Sequence, residues 1–198
     1  MGTRVVIHSY ADRDATLAAF RLGKLSAQDH LTRDGRPASW AFDMRVPLAD
    51  ASILVPVATS MAALLRSIGI SQVAGRGCGA IFLLGAIASA DSSFRLGFVR
   101  DEPKPYGGRR IVEGAMEPGR PVAMVDDVLN SGRSVIKGVD VLRAEGFDVM
   151  TALALLEIGW GRARSELQRR GVSTWPLATL ERDPTNRSRC PAAGTTNR

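Results

Sequence analysis

Residues 121–146, PVAMVDDVLNSGRSVIKGVDVLRAEG, restrict the possible folds more than any other stretch of the chain. Val122 to Val125 form an apolar run with the length of a buried strand, and two carboxylates, Asp126 and Asp127, follow it. Val135, Val139 and Leu142 then fall at i, i+4 and i+7, one face of an amphipathic helix, and Gly146 is placed to end it. Between strand and helix lies the small-residue turn 129–134 (LNSGRS). Such a turn can aim several backbone N–H groups, that of Gly132 among them, at one point before the positive end of the helix. It is an anion cradle, with phosphate the first candidate guest. Carboxylates beside a phosphate repel it unless they bind another part of the same ligand, and a sugar's vicinal hydroxyls would suit them. An ordinary strand-to-helix turn with an acidic N-cap is the plainer alternative.

The rest of the chain supplies a setting for this unit. Its 198 residues, 45% of them hydrophobic, suit one globular domain with a sizeable core. The net charge of +6 invites a nucleic-acid reading, yet Arg182, Arg187, Arg189 and Arg198 against Asp183 place +3 of it in the last seventeen residues. The remainder fits a small polyanionic ligand, so nucleic acid is not expected as a partner. Cys78 and Cys190 make no disulfide framework and lack metal-ligand spacing, which fits a reducing cytoplasm. No apolar run long enough to span a membrane and no secretory leader is read.

Taken in order, residues 14–22 predict a short helix closed by Gly23, and Asp34-Gly35 predicts a turn between two extended pieces within 31–45. The apolar stretch 47–68 predicts a helix that Pro56 starts or kinks, its main segment being 57–68. A strand from Ser71 leads into Gly75-Arg76-Gly77-Cys78-Gly79, where three glycines in five residues let backbone approach a ligand closely before a helix over 80–90. This string lacks the Lys-Ser/Thr of a Walker A loop. Residues 95–99 predict a strand, and 100–114, rich in charge with two prolines and a Gly-Gly pair, a mobile loop. The strand 150–157, a basic helix over 161–170 capped by Gly171 and a last strand over 172–180 complete an alternation that predicts a parallel sheet with helices on both faces. Its ligand belongs at the strands' carboxyl ends.

On these residues the chain resembles the type I phosphoribosyltransferases. VAMVDDVLNSGRSV is similar to their phosphoribosyl pyrophosphate (PRPP) motif, in which the paired acids hold the ribose 2- and 3-hydroxyls and the turn holds the 5-phosphate. Within the family the likeness is closest to orotate phosphoribosyltransferases. The resemblance implies an α/β type I phosphoribosyltransferase fold, with an N-terminal hood over about 1–46, a core over about 47–180 and a disordered tail over 181–198. It implies transfer of ribose 5-phosphate from PRPP to a nitrogenous base, orotate or a related heterocycle, with pyrophosphate leaving and Mg²⁺ as cofactor.

Residue by residue, the resemblance assigns catalysis to Lys104, Asp126 and Asp127. It assigns PRPP to Arg33 in the hood, to Arg76, Gly77, Cys78 and Gly79 in the pyrophosphate loop, to Arg100 and Lys104 with Gly107 in the catalytic loop, and to Val128, Leu129, Asn130, Ser131, Gly132, Arg133 and Ser134 after the acids. Trp40, Phe42 and Asn130 would meet the base, although Trp40 and Phe42 read equally well as core. Asp126 and Asp127 are the side chains available to Mg²⁺. In the family the loop lysine reaches a neighbouring subunit's site, which implies a homodimer.

The pattern is broken in places. Asp101 stands where the family has a second basic residue and Tyr106 where many members have histidine; Arg109 or Arg110 could supply the missing charge. Asn130 replaces a usual threonine and Arg133 a small residue. Ile158 stands where an arginine grips the orotate carboxylate, with Arg162 and Arg164 as candidate replacements. These departures leave room for a second reading, a non-catalytic PRPP-binding regulator of the same fold.

Overall fold

In the computed structural model, which describes residues 2–26, 40–103 and 110–183, the central unit forms as its pattern predicts. The strand is longer than its apolar run, however. It continues through both acids as Pro121–Leu129, and its helix is Arg133–Ala144. Gly146, at φ 85°, lets the helix close with paired reverse bonds: its own N–H reaches Arg143 O at 3.1 Å and the N–H of Phe147 reaches Leu142 O at 3.0 Å. Only a residue tolerant of the left-handed region makes that turn without strain.

The order of elements is β1 (Gly2–Ile7), α1 (Arg13–Gly23), β2 (Lys24–Ser26), β3 (Trp40–Phe42), α2 (Arg45–Leu48), α3 (Ala51–Ser67), β4 (Gln72–Gly75), α4 (Cys78–Ala90), β5 (Arg95–Val99), β6 (Val112–Gly114), β7 (Pro121–Leu129), α5 (Arg133–Ala144), β8 (Asp148–Ile158), α6 (Ala163–Gln168) and β9 (Ser173–Asp183). Among the described residues, seven strands form one sheet in the order β1-β9-β8-β7-β4-β5-β6, and β2 pairs with β3 in a small separate ribbon. β9, β8, β7, β4 and β5 run parallel, and β1 and β6 close the two edges antiparallel.

Alternate residues of β7 serve opposite faces. Ala123 and Val125 join the core made with Met61 and Leu65 of α3 and Leu83 and Ile87 of α4. Val122 and Met124 join the core made with Val135, Val139 and Leu142 of α5 and Leu167 of α6. A strand covered on both faces is apolar throughout, which is why 122–125 carries no polar residue. The arrangement brings Gly75, Val99, Leu129 and Ile158 to one rim, where the strand-to-helix turns gather.

Three expectations are corrected. Gly2–Ile7, assigned with the hood, is instead the edge strand beside β9. The main apolar helix starts at Ala51, because Asp50 caps it by accepting the N–H of Ser52 at 2.8 Å, and Pro56 lies inside it. An interior proline removes one helical bond and crowds the preceding turn, at a cost of about 3 kcal/mol. The buried face of Ile53, Val57, Met61 and Leu65 holds the helix together around it. The stretch 100–114 ends in a strand, β6, whose residues Val112, Glu113 and Gly114 pair with Val99, Phe98 and Gly97.

Candidate active site

At the carboxyl end of β7 the two acids meet different surroundings. Asp126 is 8% exposed, whereas Asp127 is half-buried. Asp126 Oδ1 accepts the backbone N–H of Asp127 at 3.0 Å, and Asp127 Oδ1 accepts that of Val128 at 2.8 Å. Burial, reinforced by the neighbouring Asp127, pushes the Asp126 carboxyl well above the usual carboxylate range; the Asp127 N–H and the Arg76 guanidinium act the other way. A carboxyl so placed gains most from a ligand that brings hydrogen-bond donors or a cation.

This shift fixes a sign for stability. A carboxyl whose value is higher in the folded than in the unfolded protein favours folding fully below its unfolded value, and that contribution is lost as pH rises through the folded value. In ligand-free and metal-free protein, Asp126→Asn is therefore expected to raise the urea midpoint, by a margin that widens as pH climbs out of the ordinary carboxylate range. A margin that narrowed with rising pH would contradict the burial described here.

The glycine loop lies against these acids. Only Gly77 of its three glycines adopts positive φ, at 87°, and it serves as the N-cap of α4. That helix starts at Cys78 rather than at Ala80, so Gly79 already lies in its first turn. A methyl group on Gly79 would collide with the Asp127 carboxylate, which explains a glycine at a helical position. Arg76, in the connection, directs its guanidinium to Asp101 and is little exposed. Its carbonyl lies 3.4 Å from the Ser134 hydroxyl, so the two turns are adjacent.

The turn after β7 remains open at its helix end. Gly132 is the N-cap of α5 with φ 73°, and a side chain there would press on Ala163. The first amides of α5 have no acceptor within the helix, and that of Arg133 donates to the Ser131 hydroxyl at 3.5 Å. Asn130, Ser131 and Arg133 line a cleft of about 590 Å³ together with Trp160 and Arg162. A second cleft of about 440 Å³ lies between the amino end of α4 and the residues after β5, with Gly77, Cys78, Arg100 and Asp101 in its lining. Arg100 is 3.7 Å from Glu113 of β6.

The structure thus gathers Arg76, Gly77, Cys78, Gly79, Arg100, Asp126, Asp127 and residues 128–134 on one rim. Arg33, Lys104, Tyr106, Gly107 and Arg109 lie outside the described residues, as do 184–198 of the tail, and so does the side chain of Trp40. Phe42 packs its ring against Phe20, with centroids 5.2 Å apart, and adjoins the core beneath. Arg45, which no motif singles out, lies within electrostatic reach of Asp127 and Cys78 while pairing with Asp43 at 2.7 Å.

At the end of β8, Ile158 is 2% exposed and belongs to the core. Arg164 binds the buried Glu157 through two nitrogens, Nε to Oε1 at 3.0 Å and Nη2 to Oε2, so it is already engaged. Arg164→Ala leaves that carboxylate buried without its cation, which is expected to cost about 1 to 3 kcal/mol in a urea denaturation curve. An unchanged midpoint would mean that solvent compensates Glu157.

No protein-family profile matches the chain. A relative named orotate phosphoribosyltransferase, from Aeropyrum pernix, is 36% identical over 166 residues, 80% of this chain and 85% of the relative. The chain belongs to the orotate phosphoribosyltransferase family. The crystal structure of orotate phosphoribosyltransferase from that organism superposes with a TM-score of 0.67 at 31% identity, covering 83% of this chain and 93% of the other. The Mycobacterium tuberculosis orotate phosphoribosyltransferase, solved in complex with PRPP, shares the fold with a TM-score of 0.65 at 19% identity, over 84% of this chain and 89% of that one. The type I phosphoribosyltransferase fold, with its sheet flanked by helices, is therefore established for this family member.

Proposed function

We propose that the chain transfers ribose 5-phosphate from PRPP to orotate and releases pyrophosphate. The observation that carries this reading is the juxtaposition of an acid pair with one buried and one half-buried member, a glycine-capped small-residue turn and a little-exposed arginine on one rim of the sheet. A sugar flanked by a phosphate at one end and a diphosphate at the other matches that order of donors and acceptors. Its hydroxyls donate to Asp126 and Asp127, its 5-phosphate accepts from the amides that open α5, and its diphosphate faces Arg76 and the amino end of α4.

Cleavage at the anomeric carbon leaves positive charge on the ribose and negative charge on the departing pyrophosphate. Fixed carboxylates near the sugar and cations at the departing end stabilise both. Arg76 and Arg100 border the departing end, and Lys104, four residues along the chain from Arg100, joins them in this reading. No side-chain nucleophile is needed, because the base nitrogen attacks directly.

Mg²⁺ fits this site as a ligand-borne ion. Among the described residues no group of three or more His, Cys, Asp or Glu side chains could cage a metal, but the disfavoured charge of Asp126 beside Asp127 is the kind that a cation relieves. When bound, the ion would neutralise charge on the pyrophosphate. The orotate carboxylate has to be met by groups other than residue 158, whose side chain is apolar and buried.

A homodimer is part of the same reading. The 13-residue α4, CGAIFLLGAIASA, carries no charged side chain, and its Ile81 and Phe82 are exposed, as is Val55 of α3. A helix apolar on every side is ordinarily covered on every side. Unpaired cysteine at the site, Cys78, suits a reducing cytoplasm, and no described helix is long and apolar enough to cross a membrane. Incubation with PRPP, Mg²⁺ and orotate tests the proposal: pyrophosphate and the nucleotide are expected in equal amounts. PRPP binding without turnover on orotate or on other heterocycles would favour the regulator instead.

A further inference from the structure

Arg76 combines features that a purely structural arginine does not need. Its side chain is only 11% exposed, at the amino end of α4. Its Nε is buried without a hydrogen-bond partner among the described residues. The guanidinium is bonded through Nη2 to Asp101 Oδ1. Asp101, in contrast, is 76% exposed and stands just beyond β5. Both border the cleft between the start of α4 and residues 98–103, or lie against it: Gly77, Cys78 and Asp101 line that cleft and Arg76 precedes Gly77.

A little-exposed cation whose buried Nε has no partner is matched here by a carboxylate that can rotate into water at small cost, since an ion pair with an exposed partner is worth little. A diphosphate presents several oxygens in one plane of approach and can take Nε and Nη2 together, which gives it a bidentate contact that Asp101 does not make in this pose. Two anions cannot share the guanidinium without repelling each other.

We propose that Asp101 is an internal counter-anion that occupies Arg76 in the ligand-free protein and is displaced by the diphosphate end of PRPP, thereby setting the affinity for that end of the substrate. The inference rests on the transferase reading of the site and adds a residue that opposes binding. It gives an acidic residue that stands beside Arg100 a role: Arg76 stays ordered in the empty site, and pyrophosphate is released more readily because a replacement anion is at hand.

The test is calorimetric titration of the full chain with inorganic pyrophosphate and, separately, with PRPP, at fixed Mg²⁺ and salt. Asp101→Asn removes the competing charge and is expected to tighten both ligands by about two- to five-fold, the range set by a partly exposed ion pair. Asp101→Glu keeps the charge and is expected to bind as weakly as the wild type. Since Asp101 is exposed, the urea midpoints of all three proteins should agree. If Asp101→Asn leaves binding unchanged, or weakens it, Asp101 does not compete and the proposal is wrong. If the wild type binds neither ligand, the transferase reading falls first and this inference falls with it. A wild type that binds both, with no gain in the Asn variant, overturns the inference alone.

Discussion

Asp126→Asn combined with Asp127→Asn is expected to abolish PRPP binding while leaving a folded protein that is at least as stable as the wild type. Each acid offers a charged acceptor to a sugar hydroxyl, a contact worth about 1.5 to 3 kcal/mol. Losing both corresponds to about 10² to 10⁴ in affinity, enough to remove binding from any practical titration. Stability moves the other way, because burial already disfavours the Asp126 charge. Calorimetry with PRPP and a urea curve on the same sample check the two halves together. Retained binding would show that the acids do not hold the ligand, whereas loss of the fold would show that they support the turn.

Lys104→Ala is expected to separate binding from chemistry. In the proposed reaction the lysine meets charge that builds on the leaving pyrophosphate, so its removal should reduce kcat by about 10² to 10³. PRPP affinity should change far less, since Arg76 and the acid pair still hold the ground state. Single-turnover rates with orotate, set beside a PRPP titration, measure the split. Normal turnover by the alanine variant would remove Lys104 from the reaction and shift the demand for a cation at the departing end to Arg100 or to Arg109 and Arg110.

The parts legible in the sequence are those built from near neighbours. β7, its turn and α5 are contiguous, so apolar run, glycine and helical spacing all report on one local unit. β4 and the Gly75 to Gly79 string are legible for the same reason, although α4 begins two residues earlier than the glycines imply. β1 is different. Gly2 to Ile7 is half polar and finds its partner in residues 178–183, so its order comes from pairing across the whole chain. Its consecutive Val5, Val6 and Ile7, all β-branched, are the signal that could have revealed it.

The same distinction runs through the site. Asp101 stands out in the sequence against the family's basic pair, but its bond to Arg76, 25 residues away, depends on β4 and β5 lying side by side. Arg164 reads as a free cation near the acceptor until folding places the buried carboxylate of Glu157 against it. Charge type is visible in a sequence; the partner that claims the charge is not. Arg45 shows this again, since only the tertiary arrangement brings α2 towards the start of α4.

The register of β1 on β9 matters for anyone handling this protein. Because Gly2 faces Asp183, the residue that leads into the main body and the residue that leaves β9 emerge side by side, at the rim where the substrate is expected. β9 is two strands from β7 in the sheet, a lateral distance of about 10 Å. An affinity tag fused ahead of Gly2, particularly a polyhistidine that gathers divalent metal, would therefore hang beside the pocket, and kinetic work should use protein from which it has been cut away.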